Sequence, residues 1–86
     1  MGLLNRIWDI WTSSAEQELY TMIDQFRLDY YFEEEFLHVL YLIEDAIVEG
    51  DHMQARELFQ EYYPLRMSTI DLELFVQLLD EAAHGL

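Results

Sequence analysis

Cysteine is absent from this chain of 86 residues, which excludes a disulfide framework, a thiolate metal site and a cysteine nucleophile and fits a reducing compartment. The cytoplasm is the expected location. Lysine is absent too: Arg6, Arg27, Arg56 and Arg66 are the whole basic inventory against 18 acidic residues, for a net charge of -14. No positive stripe can form to neutralise phosphates, which argues against direct nucleic-acid binding. An anionic membrane surface repels such a chain, and no uncharged apolar run approaches the roughly 18 residues of a membrane span. Three glycines and one proline are too few for an all-β sandwich or barrel, which needs a turn about every 8–12 residues. Helices remain.

What is present is apolar and aromatic. A composition 52% hydrophobic and 15% aromatic is unlike a disordered acidic tail, which lacks the apolar surface that offsets the entropy of ordering. The chain is expected to fold as one all-helical domain over residues 1–86. Leu3, Leu4, Ile7, Trp8 and Trp11 recur at helical spacing and predict a short N-terminal helix carrying both tryptophans. Thr12-Ser13-Ser14 breaks it, and Ser13 with Glu16, or Ser14 with Gln17, has the spacing of a capping box for the next helix. That helix carries Leu19, Met22, Ile23, Phe26 and Tyr30 on one face.

Between Leu28 and Phe32 there is neither glycine nor proline. The boundary is placed near residues 29–31, because Glu33, Glu34 and Glu35 suit the positive end of a new helix dipole; one continuous helix over 14–49 is the rival. The third main stripe is Phe32, Phe36, Val39, Leu40, Ile43, Ala46 and Ile47. Gly50 ends it, and Asp51 with Gln54 caps the next helix, which predicts an antiparallel hairpin around Gly50. Ala55, Leu58, Phe59 and Tyr62 follow until Pro64 stops the helix. Ser68 and Asp71 open the last one, with Leu72, Phe75, Val76, Leu79, Ala82 and Ala83 inward and Gly85 as terminator. The expected fold is a compact bundle of four main helices plus the short N-terminal one.

Two short stretches carry family resemblances. Gly50, Ala55 and Phe59 after Leu42 resemble the middle of a tetratricopeptide repeat, where a small residue and an aromatic let two helices pack closely. Only one copy is present and Pro64 comes early for the repeat, so the stretch reads as ordinary helical-hairpin chemistry. The opening Met1-Gly2-Leu3-Leu4-Asn5-Arg6-Ile7 is similar to the start of membrane-remodelling phage-shock-type proteins. It lacks the hydroxyl residue that a myristoylation signal has at position 6, and it has no signal-peptide pattern.

Each histidine follows a glutamate by three places: Glu35 and His38, Glu49 and His52, Glu81 and His84. Glu-x-x-His on facing helices holds di-iron centres in carboxylate bundles. Here His38 falls on the outward face, His52 past the Gly50 turn and His84 near the chain end, so solvated histidines beside acids are expected instead of a metal site. Asp45, Glu49 and Asp51 lack the alternating loop ligands of a calcium hand. Ser13, Ser14 and Ser68 all read as helix caps, and no glycine-rich elbow or phosphate loop accompanies them. No catalytic, cofactor or metal site is expected, and the protein is not read as an enzyme.

An apolar surplus and an acidic shell remain. Tyr20, Leu28, Tyr31, Leu37, Leu42, Tyr63, Leu74 and Leu78 lie at or beyond the flanks of the stripes, and a domain this small buries only about two thirds of its unfolded surface. Trp8, Trp11, Tyr30, Tyr31 and Met67 are residue types enriched in interface cores. Equally, the two tryptophans could simply pack over the bundle. Acids cover helix faces at Glu18, Asp24, Glu34, Asp45, Glu49, Glu57, Glu61, Glu73, Asp80 and Glu81. One helix spaces its carboxylates about 6 Å apart, too sparse to imitate phosphates about 3.4 Å apart along a nucleic-acid strand; several acidic faces together approach that density.

The sequence therefore points to a small acidic protein-binding module with a basic, nucleic-acid-binding partner. Its composition is that of virus- or mobile-element-encoded inhibitors of host proteins, nucleic-acid mimics among them. Trp8, Trp11, Tyr30 and Tyr31 are the expected apolar anchors, and Glu34, Asp45, Glu49, Glu57 and Glu61 the charged contact surface. A homo-oligomer or a hetero-complex is expected. The alternative is a structural homodimer, adaptor, chaperone or immunity protein whose charge serves solubility, with a metal-binding bundle behind it.

Overall fold

Residues 14–84 are described in a computed structural model, and all their regular structure is helical. The expected N-terminal helix, the Ser13 cap and the Gly85 terminator lie outside the described residues. Helix α1 (Ser14–Asp29) buries Ala15, Leu19, Ile23 and Phe26, a spacing of four, four and three that keeps one face inward. It stops where the acidic run predicts. The Tyr30 amide still donates to the Phe26 carbonyl (2.9 Å), and the Glu33 amide then turns back to the Tyr30 carbonyl (2.9 Å). The chain over 14–49 is thus two helices, not one.

Helix α2 (Glu34–Val48) buries Phe36, Val39, Leu40, Ile43, Ala46 and Ile47. Glu33 occupies its N-cap position without a side-chain cap bond; its carboxylate is engaged elsewhere, as described below. At the other end Gly50 takes φ +83°, the Gly50 amide donates to the Ile47 carbonyl (3.0 Å) and the Asp51 amide to the Ala46 carbonyl (2.8 Å). This paired pattern satisfies the last carbonyls of a helix and requires a left-handed residue, which glycine supplies without a Cβ penalty.

Helix α3 (His52–Tyr62) is capped by the Asp51 carboxylate, which accepts from the Gln54 amide (3.2 Å). It ends because Tyr63, before Pro64, is extended with ψ 145°. Helix α4 (Thr69–Ala83) begins in the same way, with the Ser68 hydroxyl accepting from the Asp71 amide (3.2 Å). Contact is most extensive between α2 and α3, then between α1 and α4, and the ring closes through α3 with α4 and α1 with α2.

Every helix gives one phenylalanine to the centre. Phe26 of α1, Phe36 of α2, Phe59 of α3 and Phe75 of α4 are all buried, with Phe59 and Phe75 4.3 Å apart between ring centroids and Phe26 within 5.7–6.2 Å of the other three. Such ring pairs contribute about 0.5–1.5 kcal/mol beyond their area burial.

Several residues lie elsewhere than their pattern suggests. Phe32 is 78% exposed, because it precedes α2 in the connection and the helical period does not govern it. Ala83 is also exposed. Leu78, read as surplus, is 4% exposed and in the core: α4 packs against both α1 and α3, so its buried face is wider than a single stripe. Met67 is buried although it lies in a connection, and Tyr20, Leu37 and Tyr63 pack partly against the core.

Candidate interaction surface

The phenylalanine cluster supports one end of the molecule. Above it lies Tyr30, 6% exposed, its ring edge-on to Phe26 (5.9 Å) and Phe36 (5.7 Å). Above Tyr30 lies Arg66, its guanidinium 4.4 Å from the ring centroid. Arg66 Nε donates to Glu33 Oε2 (3.0 Å), and an NH2 of the same side chain donates to the Asp29 carbonyl (3.0 Å). One arginine from the α3–α4 connection thereby ties down the α1–α2 connection, which explains why the Glu33 carboxylate makes no cap.

The outermost layer is apolar. Tyr31 is 60% exposed with its ring centroid 4.0 Å from that of Phe32, Leu65 beside Arg66 is 95% exposed, and Leu28 and Ile70 at the flanking helix ends are exposed as well. Phe32 is the fifth phenylalanine of the chain, and the other four are buried. Exposed carboxylates of Asp29, Glu34 and Glu35 adjoin this patch in the chain.

The arginines determine the field around it. Arg27 pairs with Asp24 (3.0 Å) and Glu44 (3.4 Å) and lies 4.7 Å over the Tyr41 ring; Arg56 pairs with Asp80 (3.2 Å). With Arg66 on Glu33, each described arginine is engaged within the molecule. Among the described residues, Glu34, Asp45, Glu49, Glu57 and Glu61 are exposed and form no ion pair. The negative potential over these faces is therefore not cancelled locally.

The residues singled out from the sequence are only partly brought together. Tyr30 belongs to the core and Tyr31 to the surface. Trp8 and Trp11 lie outside the described residues. Glu34 opens α2 beside Phe32, whereas Asp45 and Glu49 lie toward its far end, about 16 and 22 Å away along the axis at 1.5 Å per residue. Glu57 and Glu61 are one turn apart near the end of α3. Sequence reasoning missed Phe32, Leu65 and Arg66 as surface determinants. The available signal was that Leu65 and Arg66 sit between Pro64 and the Ser68 cap, where no helical stripe can claim them.

Burial raises the pKa of the Tyr30 phenol, with Asp71 adding to the effect and Arg66 opposing it. Burial also raises that of Tyr20, supported by Glu16 and Glu44. Of the histidines, His38 is exposed and His84 Nδ1 lies 2.6 Å from the Asp80 carbonyl. His52 Nδ1 lies 3.1 Å from the Gly50 carbonyl, so it carries the proton there; its buried Nε2 faces Glu16 Oε1 at 3.8 Å, beyond hydrogen-bond distance. No group of three or more histidine, aspartate or glutamate side chains among the described residues is placed to share a metal ion. None of the described helices is long and apolar enough to cross a membrane.

Grooves run between the described helices. One of about 460 Å³ lies between α3 and α4, floored by Phe59 and lined by Tyr63, Leu72 and Val76. Another, about 320 Å³, lies between α1 and α4 and is lined by Glu18, Thr21, Met22, Leu74 and Leu78. Compared with known proteins, the chain matches no family model, no curated protein and no solved structure.

Proposed function

We propose that this protein is a non-enzymatic binding module that presents an apolar end, ringed by carboxylates, to a partner with a basic surface. The observation that carries this reading is the fate of the charges and rings together. All described arginines are engaged internally, while Tyr31, Phe32 and Leu65 stand in water beside unpaired acids. Read as an antiparallel hairpin across Gly50, the contact between α2 and α3 brings Glu34 and Glu61 to the same end as Phe32. Apolar contact then supplies affinity, and the uncancelled field selects a positive partner and steers its approach. A basic surface of that kind is typical of nucleic-acid-binding proteins, which fits an inhibitor that occupies such a cleft.

The test is capture from lysate of the source cell on immobilised protein at low and high salt, wild type beside the double variant Phe32→Ser, Leu65→Ser. A basic protein retained at low salt, released at high salt and lost by the double variant is the expected result. Capture that ignores both the salt and the double variant would refute the reading.

A further inference from the structure

We propose that His52 is a proton-operated staple, which on taking up one proton bonds the first turn of α1, at Glu16, to the Gly50 turn and the start of α3. Its ring stands between two acceptors. Nδ1 lies 3.1 Å from the Gly50 carbonyl and Nε2 lies 3.8 Å from Glu16 Oε1, and Nε2 is buried without a hydrogen-bond partner. A neutral imidazole has one N–H and one lone pair. With the proton on Nδ1 the ring satisfies Gly50 but turns its lone pair toward a carboxylate, which is itself acceptor-only; with the proton on Nε2 the conflict moves to the Gly50 carbonyl. The imidazolium alone donates on both sides. A carboxylate has about four lone-pair sites on its two oxygens, so Glu16 takes this bond alongside its other interactions.

The surroundings select Glu16 as the partner. His52 shares a recess of about 130 Å³ with Arg56 and Asp80, but these two pair with each other at 3.2 Å. Asp51 accepts from the Gln54 amide (3.2 Å), His84 Nδ1 lies against the Asp80 carbonyl (2.6 Å), and Glu49 at the end of α2 is exposed. Tyr20, one turn on from Glu16, is a phenol whose pKa burial and then Glu16 raise, so it stays neutral wherever a histidine titrates. The His52 and Glu16 side chains are 12% and 29% accessible, so salt and water screen this pair less than an exposed one. The positive end of the α3 dipole opposes an imidazolium at that helix's first residue; Asp51 immediately before it, and Glu16, offset that. The staple is closed below the ordinary imidazole range, about pH 6.5, and opens as pH rises through it; below about pH 4.3 glutamate takes up its own proton and the staple is lost again. It lies about 20 Å along α1 from the apolar end and does not depend on what that end binds.

Nuclear magnetic resonance of the full chain with nitrogen-labelled imidazoles reads the proton positions directly. At about pH 8 His52 should be in its Nδ1–H form; at about pH 5.5 an Nε2 proton should appear, slow to exchange with water and close to the Glu16 side chain. Unfolding constants then measure the bond in a double-mutant cycle of Glu16→Gln with His52→Gln. The expected coupling is about twofold to fivefold near pH 5.5, the range of measured ion pairs, and absent near pH 8. The exposed His38 is the control: His38→Gln should show no coupling to Glu16→Gln at either pH. An Nε2–H form near pH 8 would overturn the inference, as would a coupling absent near pH 5.5 or equal at the two pH values.

Discussion

Replacing Arg66 by glutamine removes the ion pair, the ring contact and the hydrogen bond with which this side chain ties the α3–α4 connection to the α1–α2 connection. The pair with Glu33 is solvent-exposed, with side chains 59% and 36% accessible, so after screening it contributes only about 0.2–1 kcal/mol. The guanidinium over the Tyr30 ring adds about 0.5–1 kcal/mol at an exposed site. The bond to the Asp29 carbonyl adds about 0.5 kcal/mol, the low end for a hydrogen bond because water competes for it. Together these give a loss of about 1.2–2.5 kcal/mol, or ~5–20 °C in Tm for a domain this small. Urea unfolding followed by circular dichroism measures the loss at low salt and again at about 1 M salt, where the Debye length falls to ~3 Å. The Glu33 share should disappear with salt while the ring and carbonyl shares persist, and a double-mutant cycle with Glu33→Gln should isolate the former. A loss below about 0.3 kcal/mol, within the ordinary scatter of surface substitutions, would refute this account, as would a loss abolished entirely by salt.

Phe59→Ala, at the ring contact with Phe75, should destabilise by about 3–5 kcal/mol, measured by the same unfolding assay. Phe32→Ser should change stability by less than about 0.5 kcal/mol, and a larger loss would mean that this ring is not free in water. Gly50→Ala should cost about 1–2 kcal/mol through its positive φ alone, since nothing lies within 4 Å of an added Cβ. Burial first, and Asp71 next, raises the Tyr30 pKa, so the unfolded chain releases that proton before the folded one. The associated stability is intact below about pH 10 and falls as pH climbs from there through the raised value. Unfolding free energies measured across this window should show a shallower decline in Tyr30→Phe, with Tyr20 still contributing in the same direction.

Most of the helical architecture is legible in residues whose role is local. Ser68, Asp51, Gly50 and Pro64 act through their own backbone geometry, and the structure places a cap, a cap, a left-handed turn and a stop at those residues. The break after Asp29 was readable from three consecutive glutamates despite the lack of a turn residue. The misreadings lie where tertiary contact decides. Leu78 is buried because α4 has a neighbour on each side, which one-dimensional periodicity cannot express. The helical period points Phe32 inward but does not extend into the connection where this residue lies. The arrangement of the apolar end is invisible in the sequence, since it depends on Arg66 reaching Glu33 across 33 positions.

The convergence of one phenylalanine from each helix makes the four helices thermodynamically indivisible. No pair of them can bury its own rings without the other two, so cleavage at the Gly50 turn leaves halves whose aromatic faces are open until they recombine. Unfolding is then cooperative, with amide exchange in the α1 and α4 interiors limited by the same global opening as in α2 and α3. The apolar end around Phe32 inherits that property: because Tyr30 rests directly on Phe26 and Phe36, that surface exists only while the whole bundle does.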